Sequence, residues 1–283
     1  MAQYKASIII SIYSNTRALK VVLDSLKLQT EQNFEIIISE DAEHEHVKEF
    51  CQSYDFIHDF QHLTQPDVGW RKNQALNKAI KAAKSDWLIF IDGDCVLHPR
   101  FVEFHLALSG PKNIVAGKRV KLNDTLSELL LQDVTNYQTI EKNLIKKLFF
   151  GNRQGVGFIE EGIFINPTSW LGFIPKLRRI PQLKGCNMSF SKAAIETING
   201  FDEEYILPAI GEDIDPTWRF KAAGFRLVSA RNLAVQYHLN HKENWTDQSK
   251  NIQIMEQKKQ NNEYVCKKGL VSVHTNESLQ IPS

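Results

Sequence analysis

The chain has 283 residues, 42% of them hydrophobic, enough to bury the core of one large or two modest domains and to exclude disorder throughout. Its 34 basic and 33 acidic side chains leave a formal charge of +1, so no overall field exists to recruit nucleic acid. Any anion must be bound locally, and the scattered Cys51, Cys95, Cys186 and Cys266 lack the paired spacing of a zinc knuckle, redox motif or disulfide framework, which points to a reducing, cytoplasmic setting.

In chain order, "MAQYKASIIISIY" reaches an apolar run almost at once, without the charge pattern or cleavage site of a signal peptide. That run is too short to cross a bilayer and predicts a core strand. In "NTRALKVVLDSLKLQT", Leu19, Val22, Leu23 and Leu26 recur at helical spacing behind Asn15, which is placed to cap the helix. "FEIIISED" predicts the next strand, residues 43–53 a polar helix, and "YDFIHDF" a third strand. The "HEH" of residues 44–46 puts its histidines on different helix faces and reads as surface. Residues 71–83 then set Ala75, Leu76, Ala79, Ile80 and Ala83 on one helical stripe, and "DWLIFID" is a further strand. Repeated β-α units of this kind predict an α/β fold with a mostly parallel central sheet flanked by helices.

Such sheets bind ligands beyond the carboxyl ends of their strands. Three predicted strand ends carry polar groups there: "SIYSN", Glu40-Asp41, and Asp92-Gly93-Asp94. Acids gathered in one crevice repel one another and raise each other's pKa unless a cation sits between them. Oxygen ligands suit Mg²⁺ or Mn²⁺, and Gly93 would let the backbone turn sharply between the two aspartates. Taken alone, Asp-Gly-Asp reads equally well as an ordinary turn.

Residues 123–184 interleave Phe, Ile, Leu and Trp170 with Lys146, Lys147, Lys176, Arg178 and Arg179. That mixture suits the interface of an anionic membrane, an acceptor lid, or plain packing, and its broken apolar stretches cannot span a bilayer. Gly151, Gly155 and Gly157 lack the strand-turn-helix context of a dinucleotide fingerprint. "KGCNMSF" predicts a strand with Cys186 buried, "NGFDEE" a turn, and the acids of "GEDIDPTW" either helix caps or chemistry. Beyond about residue 243 the chain turns polar, with a helix and a loose end.

The blocks "SIIISIYSN", "IIISED", "GWRKNQALNKAI" and "WLIFIDGDCVLHP", in that order, resemble the nucleotide-sugar half of the inverting GT-A glycosyltransferases of the family-2 type. "KGCNMSFSKAAIETINGFDEEY" and "GEDIDPTWRFKAAGFRL" resemble their acceptor-side half, in the variant shared with galactosyltransferase-like members. The resemblance implies a Rossmann-like nucleotide-binding half over residues 1–120, a variable acceptor- or membrane-proximal segment over 121–184, an acceptor and catalytic-base half over 185–242, and a C-terminal helix and tail over 243–283. It implies that Ser11, Tyr13 and Asp41 lie at the base and ribose, that Arg71 and Asn73 open a helix facing the diphosphate, and that Asp92 and Gly93 also border the nucleotide. Many relatives have proline where this chain has Ser11. Lys72, beside these residues, reads as solvated.

Asp94 would bind Mn²⁺ or Mg²⁺ directly and Asp92 would touch the ribose or the metal shell, with His238 a third ligand and His241 its competitor. Asp213 would be the base of an inverting transfer, Glu212 would bond a sugar, and Asn187, Asp202 and Glu203 would contact acceptor or donor sugar. The implied partners are a nucleoside-diphosphate sugar, expected to be a UDP-sugar, and a glycan or lipid-linked acceptor, with peripheral membrane contact through 140–180 at the inner face of the membrane. Two rivals are a sugar-phosphate nucleotidyltransferase, whose glycine- and basic-rich N-terminal phosphate loop "SIYSNTRAL" lacks, and a non-catalytic glycan- or nucleotide-binding scaffold.

Overall fold

The computed structural model describes residues 3–151, 155–242 and 247–272; the loose end expected at the C-terminus falls largely outside them. Strands β1 (Ala6–Ile12), β2 (Phe34–Glu40), β3 (Phe60–Leu63) and β4 (Trp87–Asp92) pair in parallel in the order β3-β2-β1-β4. β1, β2 and β4 carry long apolar runs because both faces of the sheet are covered there, whereas β3, at the edge, is Phe-Gln-His-Leu and only partly buried. Alternate side chains feed two different cores: Ile8, Ile10, Ile36, Ile38, Ile89 and Ile91 on one face, Ile9, Ile37, Leu88 and Phe90 on the other.

The helix Thr16–Lys27 is capped by Asn15, whose side chain accepts from the Ala18 amide at 3.0 Å. It buries Leu19, Val22, Leu23 and Leu26 against the first of these cores, while the helix Lys72–Ala82 buries Leu76, Ala79 and Ile80 against the second. β3 begins only at Phe60, the last residue of the run expected to form it. Phe56 instead folds back to stack on Phe60, ring centroids 3.7 Å apart, which ends the preceding turn before pairing with β2 begins.

The second half of the chain completes the sheet and adds a smaller one. β5 (Cys95–Leu97), β6 (Asn113–Ala116), β7 (Val120–Lys121), β8 (Met188–Ser191), β9 (Arg226–Ser229) and β10 (Gln236–His238) follow in sequence. The large sheet has the order β3-β2-β1-β4-β8-β6-β9, and β8 is the strand that runs against its neighbours, antiparallel to both β4 and β6. The small sheet has the order β5-β10-β7 and hangs from the end of β4, since β5 starts three residues after it. Late residues are thereby carried back to the Asp92-Gly93-Asp94 turn. Among the described residues no helix is long and apolar enough to cross a membrane.

Candidate active site

Parallel register sets the floor of the site. Ser11 pairs with Ser39 on one side and with Asp92 on the other, so three polar residues stand in a row at the carboxyl ends of β2, β1 and β4. Above that row lies a cavity of about 770 Å³, lined among others by Ser11, Tyr13, Asp41, Trp70, Lys72, Asp92, Gly93, Asp94 and His241. Gly93 does not adopt a left-handed backbone. Its need is close approach: its amide donates to the Ser11 carbonyl at 2.8 Å, and a Cβ at this position would lie 3.2 Å from that same oxygen. The chain turns at Gly93-Asp94 as expected, and the glycine packs that turn onto β1.

The two aspartates of the turn have different surroundings. Asp92 faces cations, with Lys72 Nζ 2.8 Å from Oδ1 and Arg119 3.6 Å from Oδ2. Asp94 faces imidazoles, with His241 Nε2 at 3.1 Å and His238 Nε2 at 3.5 Å from Oδ2, the two rings themselves 3.3 Å apart at Nε2. Burial would raise the Asp94 pKa, but the hydrogen bond from His241 and the charges of His238, His241 and Arg119 outweigh it and hold the carboxyl at about 2. Burial pushes His238 down to about 4, against the pull of Asp94, so its ring is neutral near pH 7 and keeps a lone pair for a cation. A permanently ionised carboxylate and a neutral imidazole are donors that fit Mn²⁺. Both histidines proposed from sequence thus reach the same carboxylate.

Asp41 and Tyr13 border the other end of the cavity. Asp41 accepts from Gln65 Nε2 at 2.6 Å and from the Arg71 amide at 2.9 Å, and burial holds its pKa above the usual range despite these donors. Tyr13 is half exposed, stands edge-on to His44, and donates to Asp67 at 2.8 Å. His44 is not simply a surface residue: its backbone and ring both bond the buried Glu40 carboxylate that closes β2. Arg71 contributes its amide to Asp41, and it is the neighbouring Lys72, expected to be solvated, whose ammonium enters the cavity.

Lys72 joins the two ends of the sequence. Burial works against its charge, but Asp92, then Glu212 and Asp213, outweigh it and keep the ammonium protonated well above the ordinary lysine range. Glu212 and Asp213 sit in a π-helical turn, Ile210–Ile214, entered through Ala209 at a φ of 80°. Non-glycine residues pay to hold that conformation, and such strain clusters at functional sites. Asp213 Oδ1 accepts from the Gly185 amide at 2.5 Å and Oδ2 lies 3.3 Å from Lys184 Nζ. A Cβ on Gly185 would come within 2.7 Å of the same carboxylate oxygen and would force it to shift. Glu212 Oε1 accepts from the Ala209 amide at 3.2 Å, while buried Oε2 has no partner.

Burial, reinforced by Asp213 and Asp92 and opposed by Lys72, raises the Glu212 pKa to about 7. A carboxyl whose folded pKa lies above its unfolded value favours folding below the unfolded pKa, and that advantage fades as pH rises through the folded pKa. Glu212→Gln is therefore expected to melt like the parent near pH 4 and above it by pH 8, the gap opening between about pH 4.5 and 7. A gap independent of pH in paired melting curves would place the buried proton elsewhere.

Four residues expected at the site are turned into the protein by its packing. Asn187 is fully buried; its amide donates to the carbonyls of Lys118 and Ala234, and its oxygen faces His105 Nε2 at 3.0 Å. Asn73 Nδ2 donates to the Asp202 carbonyl at 2.7 Å. Asp202 is fully buried in an ion pair with Lys258, and Glu203 accepts from Asn77 at 3.0 Å. With these bonds in place Asn187 and Asp202 offer no free side-chain surface to a sugar, and they brace β8 and the turn after Gly200 instead. Arg119, which reaches Asp92, lies outside the quoted motifs, and Trp70 and Asp67 line the cavity without having been given a role from sequence.

Comparison with known proteins bears on the family and the fold. The profile of glycosyl transferase family 2 matches residues 7–168, and that described as the N-terminal domain of galactosyltransferase matches 175–242. Chondroitin synthase of Escherichia coli is 27% identical over 275 residues, which is 89% of this chain and 38% of that protein. The putative glycosyltransferase EpsH of Bacillus subtilis is 27% identical over 53% of this chain and 44% of its own length. The chain thus spans less than half the length of these relatives. Among solved structures, the mannosyltransferase PcManGT from Pyrobaculum calidifontis, in complex with GDP-Man and Mn²⁺, superposes with a TM-score of 0.54 at 13% identity, covering 86% of this chain and 59% of that one. TarS 1-349 of S. aureus in complex with UDP-GlcNAc gives 0.53 at 14% identity, over 85% and 60%. These two likenesses establish a shared GT-A fold, and the profile match over residues 7–168 establishes that the chain belongs to glycosyl transferase family 2.

Proposed function

We propose that this chain is a metal-dependent, inverting glycosyltransferase that moves a hexosyl or N-acetylhexosaminyl group from a UDP-sugar to a hydroxyl of a glycan or glycolipid in cell-surface polysaccharide synthesis. The observation that carries the reading is the position of Lys72. It bonds Asp92 at 2.8 Å and lies in the field of both Glu212 and Asp213, so acids more than a hundred residues apart in sequence act on one ammonium.

In this reading Asp94 and His238, with His241 beside them, hold Mn²⁺ or Mg²⁺, which when bound neutralises the departing diphosphate as a Lewis acid. Asp41 and Tyr13 receive the nucleoside and Ser11 lines its floor. Lys72 adds a fixed positive charge on the diphosphate side, and its ion pair also holds the Asp92 side chain in place. Asp213, oriented by Gly185 and Lys184, takes the proton of the acceptor hydroxyl as its oxygen attacks the anomeric carbon.

Exposed Phe149, Phe150, Trp170, Phe173 and Leu177, with Lys146 and Lys176 in the same stretch of sequence, support an acceptor presented at an anionic lipid surface. Arg178 does not add to this surface, since it turns inward to Glu161 at 3.0 Å.

The reading is tested by incubating the chain with Mn²⁺, a panel of UDP-sugars and simple glycan acceptors, free and on anionic vesicles, with mass detection of products. Free UDP and a glycosylated acceptor are expected. Pyrophosphate release would identify a nucleotidyltransferase, and binding without turnover would identify a scaffold. A chain that stays in the supernatant when the vesicles are spun down would remove the lipid contact.

A further inference from the structure

Cys95 and His238 are directly opposite one another in the antiparallel pair β5 and β10. Residues so paired project to the same face of a sheet with their Cβ atoms about 4.5–5.5 Å apart. Asp94 immediately precedes Cys95, and its carbonyl accepts from the Leu239 amide at 3.0 Å, which extends the ladder by one step and fixes the carboxylate beside the pair. One ligand atom from each of Asp94, Cys95 and His238 consequently falls within 4.8 Å of the other two. The thiol is turned toward the acid, with Sγ 3.4 Å from Asp94 Oδ1, and His238 Nε2 is 3.5 Å from Oδ2. For bonds of about 2.0–2.1 Å to nitrogen and oxygen, neighbouring ligands of a tetrahedral ion are roughly 3.4 Å apart. The imidazole and carboxylate already have that separation.

The donor set is not the all-oxygen set that hard ions select. Sulfur and imidazole together favour borderline and soft ions, above all zinc, whereas Mg²⁺ and Mn²⁺ gain little from a thiol. A second sulfur, that of Cys186, lies within 4.8 Å of Cys95 Sγ and of an Asp92 oxygen, which makes the wall beneath the turn richer in soft donors than its "DGDC" sequence conveys.

We propose that Asp94, His238 and Cys95 form a mixed oxygen, nitrogen and sulfur site that takes a thiophilic divalent cation of the zinc class, in competition with the harder ion of the transfer reaction. The proposal rests on the metal reading of this cleft and adds a ligand to it. Binding replaces the thiol proton of Cys95 by the ion and releases one proton to solvent, with no change of oxidation state. Hard ions use Asp94 and the histidines and leave the thiol protonated. The same cleft therefore discriminates between two kinds of cation by whether Cys95 joins.

The test is an anaerobic titration of the full chain with Co²⁺, a spectroscopic substitute for zinc, followed by displacement with Zn²⁺. A near-ultraviolet sulfur-to-cobalt charge-transfer band is expected in the parent chain and in Cys186→Ser. Cys95→Ser should lose the band while still binding Co²⁺, and its Zn²⁺ affinity should fall by no less than the roughly 10–100-fold that even an outer-shell partner costs. Cobalt binding to the parent chain without the band would overturn the thiol ligand and leave the metal reading intact. A band that survives Cys95→Ser and vanishes in Cys186→Ser would assign the sulfur to the wrong residue here. No cobalt binding at all would overturn both. The parent spectrum alone decides the first point, even if Cys95→Ser fails to fold.

Discussion

Asp213→Asn is expected to bind UDP as the parent does and to turn over about 10²–10⁴-fold more slowly, the usual contribution of a positioned general base. The geometry separates the two effects. Asp213 does not line the nucleotide cavity, and Lys72, which does, meets Asp92 directly through a 2.8 Å hydrogen bond. Asparagine keeps an oxygen able to accept from the Gly185 amide, so the π-helical turn should hold its shape. What it loses is the capacity to take a proton. UDP titrations and steady-state rates measured on the same preparation provide the check. Near-normal turnover would move the base to another group, of which Glu212 with its unpartnered Oε2 is the nearest.

The parts of this molecule that could be read from sequence are those built from neighbours in the chain. Three apolar runs with intervening helices announced β1, β2 and β4, while β3 began only at the last residue of its expected run, and the polar residues at the ends of β1, β2 and β4 announced where the cavity would open. The reversed strand β8 and the small sheet β5-β10-β7 follow no periodicity, because they depend on pairing between segments roughly a hundred residues apart, where loop closure rather than local preference decides. Several of the differences at the site trace to that long-range half. Asn187 has a side chain that could bond a sugar, but strand β8 buries it between β6 and the segment before β10. Lys72 was indistinguishable in sequence from any helix-surface lysine until Glu212 and Asp213 were folded against it. Arg119 and the approach of Cys186 to Cys95 are likewise products of topology, since nothing in their spacing brings them together.

Asp94→Ala is expected to abolish the dependence of UDP affinity on Mn²⁺, whereas the same measurement on Asp92→Asn should keep that dependence. The two aspartates differ only in their neighbours. Asp92 is paired with Lys72 and Arg119 and meets neither imidazole, so removing its charge alters the field at the diphosphate position to the same degree with and without the ion. Asp94 is the carboxylate that meets both imidazoles, and without it the remaining nitrogen donors lack the negative charge that draws a hard ion out of water. The loss in Mn²⁺-supported affinity should be at least the roughly 10–100-fold seen when mere outer-shell partners of a metal are removed. Calorimetric titration of UDP in Mn²⁺ and in chelator gives the comparison: for Asp94→Ala the two curves should coincide. If Mn²⁺ still strengthened UDP binding to that variant as it does to the parent, the ion would have to be held by other groups, and the pairing of Asp94 with His238 and His241 would be an ordinary buried polar cluster.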